Sequence, residues 1–148
     1  MRILHISDTH GQHHQLSDMP RADVIVHSGD ISFAGSEDEA FDFIQWFSSL
    51  PYTYKVFIAG NHDNCLHEAN IEGLPENCFY LYNSSVVIDG LKFHGMPLFM
   101  EDIISGNYDE SFQKIPDDTD ILMTHQPPYG ILDNSANIHY GDRDLLQT

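Results

Sequence analysis

The chain is poor in positive charge. Six Lys and Arg stand against 23 Asp and Glu among 148 residues, for a formal net charge of -17 at pH 7. A surface of that sign repels a phosphate backbone, which argues against general nucleic-acid binding. It reads most simply as a solvated acidic surface, and bound divalent cations could offset part of its charge. Cysteine is also scarce. Cys65 and Cys78 are too few for a disulfide scaffold and lack the spacing of a thiolate metal site. A reduced, cytoplasmic protein is the expectation. The N-terminus lacks a long apolar run, because His5 interrupts the short one it has, so neither a signal peptide nor a membrane span is expected. Internal repeats, low-complexity tracts and linkers are absent as well.

What is present is globular. Hydrophobic residues make up 41% and aromatics 11% of the chain, a composition that packs a core. The length suits one domain over residues 1–148, which can bury roughly 68–70% of its unfolded surface without staples. Short apolar runs at Ile3–Ser7, Val24–Ser28, Lys55–Ala59 and Ile121–Thr124 predict buried strands. Ser36 and Glu39 make a capping box ahead of Phe41, Phe43, Ile44, Trp46, Phe47 and Leu50, a helix that Pro51 stops. Ser85–Ile88 and Leu91–His94 flank Asp89-Gly90, a hairpin signal. Gly141 to Leu146 resembles the opening turn of another helix. Early alternation followed by antiparallel pairing predicts an α/β domain with mixed sheets.

Each of the four apolar strands ends in polar residues able to bind metal: Asp8 and His10, Asp30, Asn61 and His62, and His125. In an open α/β sheet the carboxyl ends of the strands form the crevice where ligands sit. Asp and Asn oxygens mixed with imidazole suit Mn, Fe or Zn. Asp8 and His10 at i, i+2 on extended chain point to one side. Asp30 follows a glycine that permits a sharp turn, and its carboxylate has two oxygens with which to bridge two ions. His5 and His27 read as structural strand residues, His13 and His14 as solvated, and His67, His94 and His139 as non-ligands.

Asp8-x-His10, Gly29-Asp30, Gly60-Asn61-His62-Asp63 and His125, in that order, resemble the signature of the calcineurin-like metallophosphoesterases. Leu50–His62 and Thr119–Pro128 are similar to one small branch, which includes the metallophosphoesterase-domain phosphodiesterases. The resemblance implies a sandwich of two mixed β-sheets packed face to face, with helices outside and the metal residues at one edge. It implies two divalent ions. Asp8 and His10 would bind one, Asn61 and His125 the other, and Asp30 would bridge them. His62 would contact the phosphate and assist the leaving group, while a metal-activated hydroxide attacks phosphorus in line.

The family pattern ends in a Gly-His-x-His segment, and this chain contains no Gly-His dipeptide. The expectation is therefore a domain without its C-terminal segment, under-occupied by metal, and able to dimerise through the sheet edge that segment would cover. The competing reading is a metal-binding domain with little activity. A small phosphoester or phosphodiester is the expected substrate, and no membrane partner is expected.

Overall fold

The computed structural model describes residues 1–147. Strands β1 (Ile3–Ile6), β2 (Val24–Ser28), β3 (Tyr54–Ile58) and β4 (Cys78–Tyr80) lie side by side in that order, every pair parallel. Helix α1 (Glu37–Ser49) connects β2 to β3. β2 is buried along its whole length, as an apolar strand covered on both faces must be.

One face of this sheet lies under α1. Ile25 and Phe57 pack there with Ala40, Phe43 and Phe47. The Phe43 and Phe47 rings stack with centroids 5.1 Å apart. Both are fully buried, and each contributes roughly 1.5–3 kcal/mol by leaving water. Truncating Phe43 to Ala would cost about 3–5 kcal/mol, cavity included. α1 starts where the sequence places it, because Ser36 accepts the Glu39 N–H while the Glu39 carboxylate accepts the Ser36 N–H.

The opposite face carries Val24, Val26, Val56 and Ile58, which pack against Ile88, Phe93 and Met123 of a second sheet. That sheet consists of β5 (Ser84–Ile88), β6 (Leu91–Met96) and β7 (Ile121–Thr124). β5 and β6 form the hairpin signalled by Asp89-Gly90, and both turn residues have positive φ, at 49° and 84°. β7 runs parallel to β6 and is the outer strand of its sheet. The two sheets therefore face each other. The second is mixed, and the first is wholly parallel.

Short helices α2 (Met100–Ser105) and α3 (Asn107–Ser111) join β6 to β7. A small hairpin, β8 (Asn134–Ser135) with β9 (Ile138–His139), follows β7. After Gly141 there is a turn rather than a helix among the described residues. Asp142 Oδ1 accepts the Asp144 and Leu145 N–H groups, at 2.7 and 3.0 Å. His13 also departs from expectation. It is 1% exposed rather than solvated, packed against Phe43 and Trp46, because α1 covers the 3-10 turn at His13–Gln15. Among the described residues, no helix is long and apolar enough to cross a membrane.

Candidate metal centre

The carboxyl ends of β1, β2, β3 and β7 meet at one edge of the sandwich. Beyond β1 and β2 the chain continues as paired loops. The Asp8 N–H donates to the Gly29 carbonyl at 3.0 Å, the His10 N–H to that of Asp30 at 3.0 Å, and the Gly11 N–H to that of Ile31 at 2.9 Å. These bonds hold Asp8, His10 and Asp30 at positive φ, 55°, 43° and 57°. Such backbone costs about 1–3 kcal/mol per residue and persists only where its surroundings enforce it. Gly60 permits the close approach at the centre, since a Cβ there would run into Asp30 Oδ1 and stand 2.7 Å from His125 Cε1.

Asp30 is the hub. It is 4% exposed, and its Oδ1 accepts the His62 N–H at 3.0 Å. His125 Nε2 lies 3.4 Å from Oδ1, and His10 Nε2 lies 3.7 Å from Oδ2. Asp8 Oδ1 stands 4.0 Å from His10 Nε2. Asn61 Oδ1 lies 3.1 Å from His125 Nε2. The His62 and His10 rings meet edge to face at 4.9 Å. Two metal-capable groups result, Asp8–Asp30–His125 and His10–Asp30–His62, with the ligand atoms of each within 4.8 Å of one another and Asp30 in both. All six residues singled out from the sequence thus lie together.

Hydrogen bonding fixes what each ring offers. Nδ1 of His125 lies 2.8 Å from the Ser28 carbonyl, that of His10 lies 3.2 Å from the Ser32 carbonyl, and that of His62 lies 2.9 Å from the Phe33 carbonyl. A carbonyl only accepts, so Nδ1 must carry the proton. In the neutral ring Nε2 then presents a lone pair, and in His10 and His125 it points at carboxylate or amide oxygens. At the carboxylate contacts, acceptor facing acceptor calls for a positive species between them. A proton satisfies this in part. Burial pushes the His125 pKa down, but the Asp30 carboxylate outweighs burial and holds it above the ordinary value. Burial likewise opposes ionisation of Asp30, yet bonds from His125 and the His62 N–H keep its pKa below the ordinary carboxylate value. A divalent cation meets the same requirement more fully, and imidazoles anchored through Nδ1 are the arrangement metal-binding histidines favour. The donor set fits such an ion.

Two supporting residues carry roles that sequence reading did not assign. Asp63 is fully buried, and its carboxylate accepts the N–H groups of Ile31, Ser32 and Gly60 together with the Ser32 hydroxyl, at 2.6–3.1 Å. It ties the loop after β2 to the turn after β3. His27 is also fully buried. Its Nδ1 accepts the Gly29 N–H at 3.3 Å, so Nε2 carries the proton and donates to Thr9 Oγ1 at 3.1 Å. Burial lowers its pKa to about 3, so it fixes both metal-facing loops as an uncharged ring. The adjacency of Asp63 to His62 was the available signal for the first, and none was available for the second.

The family described as calcineurin-like phosphoesterase matches residues 1–147. The chain belongs to that family. A UPF0046 protein of Caenorhabditis elegans is 30% identical over 172 aligned positions, covering 100% of this chain and 58% of its own length. Human metallophosphoesterase domain-containing protein 1 is 31% identical, covering 89% of this chain and 50% of its own. A second UPF0046 protein of the same nematode is 33% identical, covering 100% and 63%. The chain thus spans between half and just under two thirds of these relatives' lengths.

Proposed function

We propose that this protein is a metal-dependent phosphohydrolase acting on a phosphodiester. The observation that carries the reading is the convergence of Nε2 atoms and carboxylate oxygens on Asp30, each ring held through Nδ1 by a backbone carbonyl. On the assignment the resemblance implies, Asp8, His10 and Asp30 would hold one divalent ion, Mn, Fe or Zn, and Asp30, Asn61 and His125 a second, whereas spacing alone groups Asp8 with His125 and His10 with His62 around Asp30. Bound there, the ions would supply charge neutralisation at the phosphoryl oxygens and acidification of water. The protein's own part is to place the groups. His62 is held through Nδ1 by the Phe33 carbonyl, which leaves Nε2 for a phosphoryl oxygen or the leaving group. Ser7, Asp8, Thr9 and Gln12 line a cavity of about 340 Å³ beside the cluster, room for one arm of a small diester.

Hydrolysis of bis(p-nitrophenyl) phosphate with added Mn2+ tests this. Turnover that a chelator abolishes is expected. A second reading, a metal-binding domain with little activity, is favoured by the 55% exposure of the Asp8 side chain, which leaves the first ion position loosely walled. Metal uptake without turnover would establish that alternative.

A further inference from the structure

Away from the Asp30 cluster, a second group of ligand-type side chains converges and shares no residue with it. The 3-10 turn His13–Gln15 brings two consecutive imidazoles together, with ring centroids 4.4 Å apart. α1 presents Asp42 to both. Asp42 Oδ2 lies 3.1 Å from His13 Nε2 and 3.1 Å from His14 Nε2. One ligand atom from each of the three residues falls within 4.8 Å of the others. Four-coordinate zinc, with bonds near 2.0–2.2 Å, separates its ligand atoms by roughly 3.3–3.5 Å. The carboxylate–imidazole spacings are within a few tenths of an ångström of that.

A separate observation points to a ligand. His13 is 1% exposed, yet neither of its ring nitrogens has a hydrogen-bond partner among the described residues. The approach to Asp42 is close but lacks hydrogen-bond geometry. A buried polar atom without a partner costs about 1–3 kcal/mol, and a phenylalanine would fill the space beside Phe43 and Trp46 without that cost. His14 and Asp42 remain about half exposed, at 58% and 53%, so the group is open to solution and has room for a water to complete the coordination.

We propose that His13, His14 and Asp42 form a cation site of their own, one that takes Zn2+ or a similar imidazole-binding divalent ion. Imidazole nitrogens with a single carboxylate suit Zn, Cu or Ni and give Mg or Ca too few oxygens. An ion held there clips the turn following Asp8 and His10 to α1. The inference does not depend on the phosphohydrolase reading.

The test uses the full chain supplied with Mn2+ and then titrated with Zn2+ alone. Zinc content is measured after dialysis, and zinc positions by anomalous diffraction. His14→Ala and Asp42→Asn, both at exposed positions, are each expected to lose one equivalent of zinc relative to the parent. Asp30→Asn is expected to retain that equivalent, and an anomalous peak is expected between His13, His14 and Asp42. Unchanged zinc content in both surface variants, or peaks confined to the Asp30 cluster, would overturn the proposal.

Discussion

His125 Nε2 faces Asp30 Oδ1 at 3.4 Å, although the two residues follow strands of different sheets, β7 and β2. Asp30 joins the sheets at their shared edge and belongs to both ligand groups. Asp30→Ala is therefore expected to abolish metal-dependent phosphoester hydrolysis and to weaken binding of both ions. Asn61→Ala should weaken mainly one. Metal titrations followed by turnover assays distinguish them, and residual activity in Asp30→Ala comparable to the parent would show the hub to be misassigned.

Asp63 tests the support beneath the site. Replacing it with Asn turns one acceptor oxygen into an NH2 group facing N–H donors. Each donor left unpaired costs about 1–3 kcal/mol. Asp63→Asn should lower Tm by roughly 2–4 °C per kcal/mol lost in a chain near this size. It should also reduce metal affinity, since the loops bearing Asp30 and Asn61 lose their common anchor. A melting curve and metal isotherm matching the parent would count against this role.

His27 makes stability depend on pH in a predictable direction. Its folded pKa, about 3, is below the ordinary histidine value near 6.5. Between those values the unfolded chain binds the extra proton, so stability rises with pH. The contribution is fully present above about pH 6.5 and is lost as pH falls toward 3, by about 1.4 kcal/mol per pH unit. Urea unfolding at several pH values should show this slope, and His27→Gln should flatten it. An unchanged slope would exclude His27 as its source.

The outer edge of β7 faces no further strand among the described residues. Edges of this kind recruit another chain. A dimer paired along Ile121–Thr124 is expected in light scattering, and it should strengthen with salt as the net charge of -17 is screened. A monomer at low and moderate salt and high concentration would show that the edge does not self-pair.

The parts of this molecule legible in its sequence are those where one physical pattern dominates. β2 and β7 match their apolar runs residue for residue, and α1 begins at its capping box. The site residues were visible because each one ends such a run. β4, α2 and α3, at 3, 6 and 5 residues, are too short to show periodicity and form only against what they pack on. His13 read as solvated because its cover, α1, comes more than twenty residues later. His27 looked like strand filler because its bond to Thr9 exists only once β1 and β2 are paired.

The tethers on the metal-facing rings come from main-chain oxygens of Ser28, Ser32 and Phe33. A carbonyl is present whatever side chain follows it. The orientation of His10, His62 and His125 is thus insulated from sequence drift at the tethering positions, provided the loop path is kept. Phe33, 69% exposed, could vary while the His62 tautomer is retained, whereas the Ser32 hydroxyl also holds Asp63. A search for functional positions based on residue identity would then pass over the atoms that aim the imidazoles.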